Sequence, residues 1–213
     1  MSAQRETSPY AYDDGPRPEV VSFVPVVGRL LDVGCSYGGF GAALKTRSPE
    51  MDIWGVEPFG PAAQTARLRL DNVVTGSFPD DVPSNELFDC ITFIDVLEHL
   101  VDPWGTLKKS REYLRPGGVI VASIPNIRHG VVLYNLVIRG EWRYEERGIM
   151  DRTHLRFFTK KSMLELFAHA GLEIDLIAPI NVSNGSAKAR LLAHSGRYTE
   201  QFRAKQFVIR SRP

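Results

Sequence analysis

Residues Arg29–Lys45 read "RLLDVGCSYGGFGAALK", and this stretch decides the fold. An apolar run ending at Val33 leads into a turn that holds Gly34, Gly38, Gly39 and Gly41, and a helix-like run follows at once. Ordering glycine costs more backbone entropy than ordering any other residue, so this density needs a reason. Glycine accepts positive φ and carries no Cβ, so a partner can come close to the main chain. A strand that ends in such a turn and enters a helix is the first unit of an open α/β sheet. Ligands of such sheets sit beyond the carboxyl ends of the strands, at the topological switch point.

Outward from this unit, the pattern repeats. "MDIWGVEP" (51–58), "NVVTG" (72–76), "FDCITFID" (88–95), "PGGVIVASIP" (116–125), "LEIDLIAPI" (172–180) and "AKQFVIRSRP" (204–213) read as strands. The near-continuous apolar run in 88–95 suits a parallel strand buried on both faces. Between them lie helical patterns with their own start and stop signals. Pro61 opens one, Asp102 and Pro103 cap another, and Thr159 and Gly171 bound a third. Alternating strands and helices predict an α/β fold with a doubly wound, mostly parallel seven-stranded sheet. Residues 126–158 break the pattern with a helical stretch and a dense mix of Arg, aromatic and His residues, which reads as a lid insertion. Residues 1–18 read as a flexible arm whose large side chains are Tyr10 and Tyr12, and 19–213 as one domain. The polar stretch 181–203 carries no clear signal.

With 213 residues and 43% hydrophobic content, the chain can bury a sizeable core. A net charge of +1 gives no strong pull toward nucleic acid or a membrane surface. Cys35 and Cys90 sit in apolar runs and read as reduced core thiols, which points to a cytoplasmic setting. No apolar run reaches the length of a membrane span, and the polar, Pro-rich start lacks the apolar core of a signal peptide.

The loop Gly34-Cys35-Ser36-Tyr37-Gly38 has G-x-S-x-G spacing, so the dinucleotide fingerprint G-x-G-x-x-G is not met. Glu57 ends the second strand, where an acid can accept both hydroxyls of a ribose. Asp32 stands before the loop, where a carboxylate can help to hold an ammonium group. A ligand with a ribose, a positive charge and no phosphate fits both, and S-adenosylmethionine is such a ligand. Here "LLDVGCSYGGFGAALK", "WGVEP" and "FDCITFIDVLEHLVDPWGTLKKSREYLRPGGVIVASIPN" together resemble a class I S-adenosylmethionine-dependent methyltransferase, and more narrowly its ubiquinone-biosynthesis-type branch, over roughly residues 20–180. The resemblance implies a cofactor site at Asp32, Gly34, Cys35, Ser36, Gly38, Glu57, Pro58, Ser77, Phe78, Ile94 and Asp95. Ser77 stands where the family often has an acid, which leaves the backbone of Ser77 and Phe78 to read the adenine edge.

The acceptor belongs beyond the fourth strand, in "DVLEHL". Asp95, Glu98 and His99 have i, i+3, i+4 spacing and share one face if the turn is helical. Together with His154 they can form an acid–base cluster or a site for a divalent cation such as Mg2+, and the small-RNA 3′-end methyltransferases, which this cluster partly resembles, hold such a metal. His99, His154 and Glu98 are the candidate catalytic groups. Trp142, Tyr144, Asp151, Arg152 and Arg156 are candidate acceptor contacts, since aromatic rings stack on sugar faces and charged groups bind hydroxyls. The lid resembles those of bacterial glycan and natural-product methyltransferases, which implies O-methylation of a small polar acceptor. N- or C-methylation stays open, as does a homodimer. RNA methylation is disfavoured by the charge, although residues 139–160 are locally basic. A non-catalytic scaffold of the same fold would lack S-adenosylmethionine binding, and a dehydrogenase would need the missing fingerprint.

Overall fold

The computed structural model describes residues 14–183 and 199–213. After a short helix α1 (Pro18–Val21), the chain runs β1 (Arg29–Val33), α2 (Gly39–Arg47), β2 (Asp52–Glu57), α3 (Gly60–Ala66), β3 (Asn72–Thr75) and β4 (Phe88–Ile94). It continues through α4 (Pro103–Ser110), β5 (Leu114–Pro125), α5 (Gly130–Arg139), α6 (Lys160–His169), β6 (Glu173–Val182), α7 (Thr199–Arg203) and β7 (Ala204–Arg212). The seven strands form one sheet in the order β3-β2-β1-β4-β5-β7-β6. The pairs from β3 to β5 are parallel, and β7 runs antiparallel to both β5 and β6. The strand order reverses between β1 and β4, so the carboxyl ends of these two strands open a crevice.

The start signals predicted for two of the helices are met. Asp102 caps α4 by accepting from the Gly105 amide at 2.9 Å, with Pro103 in the first turn. Thr159 and Ser162 form a reciprocal capping box on α6. Leu30, Leu31, Ile91 and Phe93 of the central strands are fully buried. Each such side chain contributes about 1.5–3 kcal/mol on leaving water, so β1 and β4 are firm mounts for whatever their ends carry. The insertion between β5 and α6 differs. Helix α5 buries only Gly130, while Val137 and Ile138 stand exposed. Its far half is pinned to the domain by the amides of Leu155 and Arg156, which both donate to the Glu98 carbonyl. Among the described residues, no helix is long and apolar enough to cross a membrane. Tyr10, Tyr12 and most of the expected arm lie outside the described residues, as does 184–198 of the polar stretch.

Candidate active site

A cavity of about 790 Å³ opens at the crevice between β1 and β4. On one side stands the glycine loop. Gly34 has φ +70°, and a Cβ there would lie 2.8 Å from Val96 Cγ2, so only glycine fits. Its amide and that of Cys35 both donate to the Val56 carbonyl, which ties the loop to β2. Glu57, only 2% exposed, completes the tie. Its carboxylate accepts from the Ser36 amide at 3.0 Å and the Phe59 amide at 2.8 Å. Its orientation is therefore set before any ligand arrives. Asp32 is equally buried and accepts from Thr92 Oγ1 at 2.8 Å. Burial, with the nearby Glu57 charge, pushes the Asp32 carboxyl up to about 7 against the pull of Thr92. Cys35 and Cys90 are free and buried, and burial pushes both thiols up, so neither is a nucleophile.

Of the candidate cofactor residues, Asp32, Gly34, Cys35, Ser36, Glu57, Pro58, Ser77, Phe78, Ile94 and Asp95 line the cavity. Gly38 does not. It is the left-handed N-cap of α2, and Gly39 lines the cavity in its place. A Cβ on Gly39 would lie 2.2 Å from the Asp14 carbonyl oxygen, because residues 14–19 cross over the loop there. The Ser77 amide is also differently engaged from the expectation. It donates to Asp81 Oδ2 at 2.8 Å, so it closes its own turn and is spent before any adenine could meet it.

The segment that crosses the loop brings Arg17 to the cavity, a residue the sequence reading missed. Arg17 Nη1 donates to Asp95 Oδ2 at 2.5 Å and its Nε to Glu19 at 2.7 Å. No local signal gives it away: Pro18 favours an extended backbone at the residue before it, whereas Arg17 takes the left-handed region at φ +47°.

The other side of the cavity is built from the turn after β4 and from the insertion. The expected shared face of Asp95, Glu98 and His99 does not form. Asp95 has φ +57°, and only Leu97–His99 make a single 3-10 turn. Asp95 is taken up by Arg17, by Ser123 Oγ at 2.6 Å and by Gln206 Nε2 at 3.0 Å. The metal-ligand set expected from sequence is corrected accordingly: Asp95 leaves it. Glu98, His99 and His154 do come together, with one ligand-type atom from each lying within 4.8 Å of the others.

Glu98 is 1% exposed, and neither of its carboxylate oxygens has a hydrogen-bond partner among the described residues. Burial first, then the charge of Asp95, pushes its carboxyl well above the ordinary range. The imidazoles of His99 and His154 meet edge to face at 4.8 Å. Burial lowers both from the usual histidine value, and in His154 the neighbouring His99 lowers it further. His154 Nε2 stands 3.9 Å from Glu98 Oε1, too far for a hydrogen bond. Its Nδ1 lies 3.1 Å from the Ile149 carbonyl, an obligate acceptor, so the proton sits on Nδ1 and Nε2 is the basic nitrogen. A buried acid with two unsatisfied oxygens beside two imidazoles suits either a proton-transfer cluster or a divalent cation. The donor set fits such a cation with three ligands.

The candidate acceptor contacts divide. Asp151 lines the cavity. Trp142, Tyr144, Arg152 and Arg156 do not: the first three pack or pair within the insertion, and Arg156 turns to the segment after β4. Trp142 and Tyr144 pack on Phe157 at ring separations of 5.3 and 6.4 Å. Arg152 pairs with Glu146 at the surface. Arg156 donates to the Val101 carbonyl at 2.6 Å and lies over Trp104, which is 40% exposed.

Comparison with known proteins follows the same lines. A model of the methyltransferase domain family matches residues 10–177. Among curated relatives, a ubiquinone biosynthesis O-methyltransferase of Cereibacter sphaeroides (strain ATCC 17025 / ATH 2.4.3) is 28% identical over 153 residues, covering 68% of this chain and 60% of that protein. One from Azoarcus sp. (strain BH72) is 23% identical and covers 78% of this chain and 77% of that protein. The chain thus spans about 60% of the length of the first of these relatives. The same fold occurs in the plantazolicin methyltransferase BpumL, solved in complex with SAH, with a TM-score of 0.65 at 15% identity over 93% of this chain and 82% of that one. A possible histamine N-methyltransferase from Thermotoga maritima shares it too, with a TM-score of 0.62 at 20% identity over 91% of this chain and 85% of that one. With its glycine loop, its seven-stranded sheet and this match over most of its length, the chain belongs to the methyltransferase domain family.

Proposed function

We propose that the protein O-methylates a hydroxyl of a small polar acceptor, such as a sugar or a natural product, held against Glu98, His99 and His154. The observation that carries this reading is the buried Glu98 carboxyl, unpartnered and facing two imidazoles across the cavity from the glycine loop. When bound, S-adenosylmethionine supplies a methyl that its sulfonium has already made electrophilic. The protein is left with alignment and with the hydroxyl proton. In this reading Glu57 and Asp32 hold the nucleoside and ammonium ends, while Arg17, already paired with Asp95 and Glu19, braces the turn after β4. His154 Nε2 is a base of lowered proton affinity whose Nδ1 proton is already held by Ile149. Glu98 can receive or share the displaced proton, since burial favours its protonated form.

The two curated relatives above are ubiquinone biosynthesis O-methyltransferases, which supports oxygen over nitrogen or carbon as the acceptor atom. A second reading places a divalent cation on Glu98, His99 and His154, favoured by the two orphaned oxygens of Glu98. Methyl-labelled S-adenosylmethionine, incubated with methyl glucoside and with 3,4-dihydroxybenzoate, tests the acceptor class. Labelled ether in either product, lost in His154→Ala, is the expected result. Label on nitrogen or carbon of a wider panel would overturn the O-methyl reading. Turnover abolished by a chelator and restored by Mg2+ would assign the cluster to a metal.

A further inference from the structure

We propose that Asp151 and Thr153 are positioning residues that set the imidazole of His99 through a directed hydrogen-bond relay. The proposal rests on the reading of His99 as an acceptor-side group and adds what holds it there. Asp151 is 8% exposed. Its Oδ1 accepts from the Thr153 amide at 2.8 Å and from the Thr153 hydroxyl at 2.6 Å. The two residues thus close an Asx-type turn. The hydroxyl donates its hydrogen bond to Asp151 and turns a lone pair toward His99. His99 Nδ1 lies 3.1 Å from that hydroxyl oxygen and 3.2 Å from the Thr153 carbonyl. Both are acceptors in this arrangement, so Nδ1 carries the proton and Nε2, on the opposite edge of the ring, is the basic nitrogen.

The direction of the relay matters. A hydroxyl can donate or accept, and one without Asp151 could turn round and donate to Nδ1, which would compete with the Thr153 carbonyl for that nitrogen and populate the Nε2–H ring. Asp151 removes that choice. The same short turn fixes the second imidazole, because Ile149 holds His154 Nδ1. One loop, 149–153, therefore leaves both imidazoles with Nε2 as the basic nitrogen, the atom needed to accept a proton or to bind a cation. The expected acceptor contact at Asp151 becomes a structural role once removed from the chemistry.

The tautomer of His99 can be read directly, without an acceptor. Long-range proton–nitrogen NMR spectra of the ¹⁵N-histidine-labelled full chain, with S-adenosylhomocysteine bound, separate Nδ1–H from Nε2–H rings. The expected result is Nδ1–H for His99 in the wild type, a populated Nε2–H form in Thr153→Val, a larger one in Asp151→Ala, and the wild-type spectrum in Thr153→Ser. Affinity for S-adenosylhomocysteine stays within about twofold in Thr153→Val, while methyl transfer to whichever of methyl glucoside and 3,4-dihydroxybenzoate the wild type accepts falls roughly 10-fold and recovers in Thr153→Ser. An Nε2–H ring in the wild type, an unchanged spectrum in Thr153→Val, or a Thr153→Ser variant that behaves like Thr153→Val would each overturn the relay. Full turnover in His99→Ala would instead defeat the role of His99 while leaving the tautomer result standing, so the two failures are distinguishable.

Discussion

The two walls of the cavity are made in different ways. The wall formed by β1, β2 and the glycine loop is largely finished: Glu57 is already bonded to two amides, Asp32 to Thr92, and Gly34 fits under Val96 with no room to spare, although Ser36 Oγ is buried there without a hydrogen-bond partner among the described residues. The wall formed by the turn after β4 and the insertion is unfinished. Glu98 is buried with both oxygens unsatisfied, and its imidazole neighbours are pushed toward their neutral forms. A satisfied wall suits a ligand that is the same in every turnover. An unsatisfied one stores an electrostatic demand that an acceptor, a proton or a cation can meet.

The largest effect expected from this contrast is on turnover at the unfinished wall. Glu98→Gln should lower the rate by about 100-fold or more, the scale of a lost proton-transfer group, and leave the affinity for S-adenosylhomocysteine within about twofold. A comparable loss of affinity would show that the two walls are one unit. Next comes the finished wall. In Gly34→Ala the methyl meets Val96 at a positive φ, and strain of about 1–3 kcal/mol should weaken S-adenosylhomocysteine binding by roughly 10- to 100-fold, measured by calorimetry.

A smaller effect concerns Asp32. Its folded carboxyl is raised from the ordinary 3.8 to about 7, so the folded chain holds that proton more tightly than the unfolded one. Stability from this group is therefore fully present below about pH 4, falls as pH rises toward 7, and is level above. Asp32→Asn should flatten that slope and raise Tm at pH 8 by about 2–4 °C for each kcal/mol recovered, while weakening cofactor binding. A wild-type Tm that rises between pH 5 and 7 in parallel with that of the variant would contradict the assignment. Smallest is Trp142→Ala, since Trp142 packs on Phe157 outside the cavity. Turnover should stay within about threefold, and a larger loss would return Trp142 to the acceptor site.

Much of the finished wall is legible in the sequence because its determinants are local. A glycine-rich turn, an acid at the end of the next strand and the period of the apolar runs are all read within a few residues. The strand order and the antiparallel β7 complete that picture without altering it. The unfinished wall is legible only in part, because its contacts span the chain. Spacing alone puts Asp95 with Glu98 and His99. A left-handed backbone at Asp95, with Arg17 and Gln206 arriving from the two ends of the sequence, takes it away. Spacing likewise cannot show that Arg152 and Arg156 turn away from the cavity, to Glu146 and to the Val101 carbonyl. Thr153 carries no motif at all. Its role emerges only when the turn at 149–153 folds back on His99.

The separateness of the two walls is tested most directly by titrating S-adenosylhomocysteine calorimetrically into the wild type, Glu57→Ala and Glu98→Gln. The expected wild-type Kd is about 1–10 μM, near −7 to −8 kcal/mol. Glu98→Gln should match it, and Glu57→Ala should lose about 100-fold, the order expected for removing a carboxylate that anchors two amides and a ribose. Equal losses in both variants, or no binding by the wild type, would contradict the account.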